Sequence, residues 1–113
     1  MHDDKLSHAI IGCAMDVHSA LGPGLLDSTY KECMRHELIG AKFHIEVEKP
    51  VPIIYKNVVV NPGYRMDFLV EGKVVVELKV VETFAMVHYQ QVLIYLRLGN
   101  YKLGLLINFN DRC

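Results

Sequence analysis

The run VVVELKV, residues 74–80, constrains this chain more than any other stretch. Val74, Val75 and Val76 form a continuous β-branched segment, the pattern of a strand covered on both faces. Val80 and Val81 continue it. Yet Glu77 and Lys79 stand in its middle. An unpaired charge in such a place is costly or forces a pKa shift. A fold that accepts this strand must therefore bring partners to both charges. Being two apart, Glu77 and Lys79 point to the same face.

The neighbouring residues supply a partner. YRMDFLV (64–70), the turn around Glu71-Gly72 and KVVVELKVV (73–81) read as a hairpin, with Asp67 on its first strand. Parity decides whether Asp67 and Glu77 meet. A two-residue turn at Glu71-Gly72 would set Asp67 opposite Val76 and send Glu77 to the other face. An odd connection, such as Glu71 to Lys73, or a bulge puts both acids on one face, and one of these is expected. Two carboxylates ~5 Å apart repel by roughly 3 kcal/mol at an effective dielectric near 20. Lys79 offsets part of that, and a divalent cation would offset the rest.

Two carboxylates and an amine on one patch of sheet suit metal-assisted hydrolysis of a phosphodiester. Carboxylate oxygens match Mg²⁺ or Mn²⁺. The ion polarises the phosphate and acidifies a water. Lys79 can orient or deprotonate that water, or offset charge on the pentacoordinate phosphate. Glu-x-Lys by itself is also common on the solvated face of an antiparallel strand, so the case needs further residues.

The flanking segments provide candidates. A helix of roughly four turns is expected from Thr83 to Leu98, stopped by Gly99-Asn100. In VHYQQVLIYL (87–96), His88, Gln91 and Tyr95 share one helical stripe that would overhang the acids. Earlier, GLLDSTY (24–30) places Asp27 and Tyr30 on one helical face. Asp27 near a helix start also complements the dipole, for ~0.3–1 kcal/mol.

The remaining pattern frames these residues. Leu6, Ile10, Cys13, Val17 and Leu21 have helical spacing, and GPG (22–24) ends that helix. A second helix is expected from about Leu25 to Ile39, with Leu26, Tyr30, Cys33, Met34 and Leu38 as its apolar face. The period then changes to two at Phe43, Ile45 and Val47, a half-exposed strand. Pro50 and Pro52 mark an edge or bend. VPIIYKNVVV (51–60) reads as strand, Lys-Asn turn and strand, and YKLGLLINF (101–109) as a well-buried last strand. The order predicts an α/β or α+β sandwich, with helices packed on a small central sheet.

Length and composition exclude several classes. The 113 residues are expected to make a single domain, 1–113. Net charge is −1 with His neutral, so no global attraction pulls the chain to nucleic acid or anionic membrane. Lys31, Arg35, Arg65, Lys73, Arg97 and Lys102 are the candidates for a local basic rim. Cys13, Cys33 and Cys113 are too scattered for a zinc site or disulfide framework. The histidines lack the paired spacing of a zinc hydrolase helix. No secretion signal or membrane-length apolar run is read, and a cytoplasmic location is expected.

With these residues in place, a resemblance emerges. GLLDSTY resembles the signature of the bacterial GxxExxY family, a small-domain branch of the PD-(D/E)xK nuclease superfamily. YRMDFLV…VVVELKV resembles the superfamily's metal motif. QVLIY (91–95) is similar to its QxxxY helix motif, and LGLLINFN (103–110) to the closing strand. The likeness runs from about Ile10 to Asn110. It implies a restriction-endonuclease-like αβββαβ core with an extra N-terminal helix. It implies that Asp67 and Glu77 bind a divalent metal, helped by the carbonyl of Leu78. Lys79 would be the catalytic lysine, and Gln91 and Tyr95 would line the site and steady substrate or lysine. Asp27 stands where the family has glutamate, as an extra acid for the metal or its waters. Being a methylene shorter, it loses about 1.5 Å of reach. Met66 stands where the wider superfamily often has proline.

The expected activity is thus that of a Mg²⁺- or Mn²⁺-dependent nuclease acting on DNA. The competing reading is a catalytically silent module that keeps the fold and binds nucleic acid or protein. The thin spread of Lys and Arg suggests that a homodimer or a partner protein completes the substrate groove.

Overall fold

A computed structural model describes residues 2–110. The elements are α1 (Asp3–Leu21), α2 (Asp27–Gly40), β1 (Ile45–Pro50), β2 (Ile53–Tyr55), β3 (Val58–Val60), β4 (Arg65–Val70), β5 (Val74–Lys79), α3 (Met86–Gly99) and β6 (Leu103–Asn108). Four strands form one sheet in the order β1-β4-β5-β6. The β1–β4 and β4–β5 pairs are antiparallel, and β5–β6 is parallel across the α3 crossover. This is a mixed α+β sandwich compatible with the restriction-endonuclease-like fold, with α1 as the added N-terminal helix.

Local chemistry accounts for the helix ends. Asp3 and Asp4 occupy the first turn of α1, where carboxylates complement the dipole. Gly22, at φ 70°, donates its amide to His18 O and stops the helix. The Tyr30 hydroxyl donates to Gly22 O and accepts from the Leu25 amide, tying α2 to the loop before it. His88 Nδ1 accepts the Ala85 amide at 2.9 Å at the start of α3. Asn100 closes α3 in the left-handed region, at φ 58°.

The sheet is covered on both sides. Phe68, Val70, Val74, Val76 and Leu78 pack with Leu6, Ile10 and Val17 of α1 and with Tyr30, Met34 and Leu38 of α2. Tyr30 stacks on Phe109, with ring centroids 4.7 Å apart. Leu69 and Val75 pack with Tyr95 of α3, together with Val51 and Met66. Gly104 makes the α3 contact close: a Cβ there would lie 2.6 Å from Val92 Cγ1.

Two sequence expectations need correction here. Leu26 does not join the apolar face of α2; it precedes the first helical turn and is exposed. The β6 strand is half-buried throughout rather than well buried, because it is an edge strand paired only with β5. Separately, β2 and β3 form their own two-stranded hairpin, turned at Lys56-Asn57 with positive φ at both residues. Ile54, Tyr55, Val58 and Val59 of this hairpin are exposed. Cys13 is buried and Cys33 half-buried, both free, and Cys113 lies outside the described residues.

Candidate active site

The parity question is answered by the register. Phe68 faces Val76, Leu69 faces Val75 and Val70 faces Val74. The connection is therefore the odd one, Glu71 to Lys73. Glu71 (φ 55°) and Gly72 (φ 64°) take the left-handed backbone of a primed turn, closed by the Lys73 amide on Val70 O. Continuing the count sets Asp67 opposite Glu77. By alternation Glu77 and Lys79 belong with Val75, on the α3 side of the sheet, and Asp67 meets Glu77 across the hairpin.

Backbone pairing between β4 and β5 ends at Phe68 and Val76. Beyond that point β4 stays paired to β1 as far as Arg65 and Pro50. In the same way β5 stays paired to β6 as far as Lys79 and Asn108. The sheet thus opens into a fork, and the two carboxylates bridge it. The Asp67 amide donates to Glu77 Oε1 at 2.9 Å, and the Leu78 amide donates to Asp67 Oδ2 at 2.8 Å. Each acid satisfies an amide that a ladder carbonyl would otherwise take. That is how a strand of valines tolerates a glutamate.

The acids are the buried charged residues of the described chain, with 8% of Asp67 and 3% of Glu77 exposed. Burial, then the Asp67 charge beside it, pushes the Glu77 carboxyl up to about 8. The Asp67 amide, Lys79 and Lys31 pull the other way without cancelling this. Lys79 is half-buried at the end of β5.

From α3, Gln91 Nε2 donates to the Tyr95 hydroxyl at 2.9 Å. Tyr95 is buried. Burial, then the Glu77 charge, holds its phenol above the ordinary range, opposed by the Gln91 hydrogen bond and the Arg65 backbone. Gln91 and Tyr95 are therefore a coupled pair next to the acids. His88 stands apart as the cap of α3.

Asp27 is not brought to the acids. It is exposed at the start of α2, where Oδ1 accepts the Ser28 amide at 2.9 Å. Among the described residues no group of three or more His, Cys, Asp or Glu side chains gathers at a metal-sized site. Leu78 contributes visibly through its amide.

Lys31, a rim candidate in the sequence, has a contact with Asp67 that the sequence did not reveal. Four residues after Asp27 on α2, its ammonium lies 3.2 Å from Asp67 Oδ1 and 2.8 Å from Glu48 Oε1. Burial disfavours that ammonium, but the Glu48 hydrogen bond and the Asp67 charge outweigh it and hold its pKa above the ordinary lysine value. Glu48 sits between Val47, which pairs with Phe68, and Lys49, which pairs with Met66, so it lies across from Asp67. Its φ of 52° is uncommon for a residue other than glycine. Both neighbours depend on cross-layer placement and strand register, which no local motif encodes.

The candidate basic rim is not one surface. Lys73 and Lys102 share a shallow depression with Asp3, Gly72, Asn100 and Tyr101, at the turn end of the hairpin. The acids are at the other end of the same strands. Arg35 is paired with Glu32 at 3.6 Å, and Arg97 lies in the last turn of α3. Lys31, and Arg65 at the start of β4, remain near the fork.

A mixed sheet that forks over two buried carboxylates, with a lysine two residues on and helices on both faces, is compatible with the restriction-endonuclease-like fold. The family model of the PD-(D/E)XK nuclease superfamily matches residues 4–113, and the chain belongs to that superfamily. Its members are generally nucleases and typically use divalent metal ions. No curated protein and no solved structure matches the chain. No helix among the described residues is long and apolar enough to cross a membrane.

Proposed function

We propose that this chain is a Mg²⁺- or Mn²⁺-dependent nuclease of the GxxExxY branch that hydrolyses phosphodiester bonds in DNA. The observation that carries the reading is the pair of buried acids, Asp67 and Glu77, held side by side by each other's strand amides. Two carboxylates this close are unfavourable when both are ionised: burial, then the Asp67 charge, pushes the Glu77 carboxyl up to about 8. The pair's donor set is all oxygen, and its supply of side-chain ligands is short. That combination fits Mg²⁺, which is commonly held by one or two carboxylates, with waters and substrate phosphate completing the shell.

Asp67 Oδ1, Glu77 Oε2 and the Leu78 carbonyl are the oxygens we assign to the ion. When bound, the ion supplies positive charge that polarises a phosphodiester. The chain's own groups do the rest. The amides of Asp67 and Leu78 hold the acids in place before substrate arrives. Lys79 faces the same side and is assigned the role of orienting the attacking water and meeting the charge that develops on phosphate oxygen. Gln91 and Tyr95 form the wall under α3 and steady substrate or the lysine. Asp27, exposed one helical turn from Lys31, is assigned a role only through intervening water. A second copy or a partner protein is assigned the missing part of the substrate groove.

The test is cleavage of labelled duplex and single-stranded DNA with Mg²⁺, Mn²⁺, Ca²⁺ or EDTA. Mg²⁺ and Mn²⁺ are expected to support cutting and raise the melting temperature, and Ca²⁺ to raise it without cutting. Glu77→Ala is expected to abolish cleavage and leave a folded metal-free protein. Retention of DNA in EDTA, with no cleavage under any metal, would replace this reading with that of a silent binding module.

A further inference from the structure

The site already contains a cation. Asp67 Oδ2 is taken by the Leu78 amide, and Glu77 Oε1 by the Asp67 amide. Of the oxygens left to face a ligand, Asp67 Oδ1 is engaged by the Lys31 ammonium at 3.2 Å. The same ammonium lies nearer to Glu48 Oε1, at 2.8 Å. Lys31 approaches from α2, the layer opposite α3, and meets Asp67 of β4 and Glu48 of the neighbouring β1. Its flexible four-carbon stem allows the head to move without moving the helix.

We propose that Lys31 is a built-in competitor for the metal. It holds Asp67 Oδ1 in the metal-free chain, gives way when a divalent ion takes that oxygen, and is then retained by Glu48. The inference rests on the metal reading of Asp67 and Glu77 given above. It follows from electrostatics. Two cations cannot share one carboxylate oxygen at contact distance without strong repulsion. The shorter bond to Glu48 gives the displaced ammonium somewhere to stay, so the exchange does not leave it uncompensated. Lys31 is in this sense a positioning residue: it keeps Asp67 aimed into the fork while no metal is there, and sets the metal concentration at which the site loads.

The experiment is calorimetric titration of the whole chain with Mn²⁺ at fixed pH, without nucleic acid. Lys31→Met keeps most of the stem and removes the charge; it is expected to tighten Mn²⁺ binding about tenfold, equivalent to 1.4 kcal/mol. Lys31→Gln serves in its place should the Met variant fail to fold by circular dichroism. Glu48→Gln removes the retaining charge and is expected to weaken Mn²⁺ binding about threefold in the wild-type background. In the Lys31→Met background it is expected to have almost no effect, since nothing remains to be retained. Unchanged or weaker binding in the Lys31 variants overturns the inference, as does an equal Glu48→Gln effect in both backgrounds. Asp67→Asn is the control. Loss of Mn²⁺ binding there upholds the metal reading whatever Lys31 does. Wild-type binding in Asp67→Asn overturns the metal reading, and the competitor role falls with it.

Discussion

Glu77 should make the metal-free protein lose stability as the pH rises, and Glu77→Gln should remove that loss. The Glu77 carboxyl has its pKa pushed from 4.5 to about 8 by burial and by Asp67. The folded state therefore holds a proton that the unfolded chain releases. Its contribution to stability is fully present below 4.5 and is lost as the pH climbs through 8. Each pKa unit of difference corresponds to about 1.4 kcal/mol, so the whole span has a ceiling on the order of 5 kcal/mol. Glu77 is only 3% exposed, so water does little to screen it. Because the two acids interact, the titration step belongs to the pair. Gln at 77 keeps an oxygen for the Asp67 amide and carries no charge. Urea denaturation in EDTA, from pH 5 to pH 9, reads the effect directly. Wild type is expected to lose several kcal/mol across that range, while Glu77→Gln stays nearly level and is the more stable protein at the alkaline end. Mn²⁺ at pH 8.5 is expected to restore the wild type and leave the variant unchanged. Parallel pH profiles for the two proteins would refute the reasoning, since Glu77 would then be ionised in the folded state at no cost.

Lys79→Met should lower the cleavage rate by about 10²-fold or more, the usual cost of losing one group that meets developing charge. Calorimetric Mn²⁺ affinity is expected to stay the same or tighten, which separates a role in the reaction from a role in metal loading. Gly104→Ala forces Val92 away from β6, because the added methyl would lie 2.6 Å from its Cγ1. A destabilisation of about 1–3 kcal/mol in urea is expected, and cleavage should fall as α3 carries Gln91 and Tyr95 off the site.

The residues legible in the sequence were those whose neighbours lie close along the chain. Asp67 and Glu77 share one hairpin, so their meeting reduced to the parity of one turn, and the odd connection over 71–73 is what the fold uses. Gln91 and Tyr95 sit one helical turn apart, and the helix period alone paired them. Lys31 and Glu48 were out of reach for the opposite reason. Their contact with Asp67 joins α2, β1 and β4, three elements far apart along the chain. The basic rim failed on the same ground: Lys73 and Lys102 are charged and near β5, but at its far end. Leu26 falls outside the apolar face because the chain there is still extended, and helical spacing begins only at Asp27.

The turn over 71–73 has a wider consequence. Phe68, Leu69 and Val70 are buried on successive positions, as are Val74, Val75 and Val76. Greasiness on both sides gives these ribbons no preference for one alignment over another shifted by a single step. The acids break the tie, because a shifted alignment would strand two amides and sink a carboxylate among methyl groups. The residues suited to chemistry thus also act as indexing pins for the hairpin, and a chain stripped of both would keep its grease but lose its bearings.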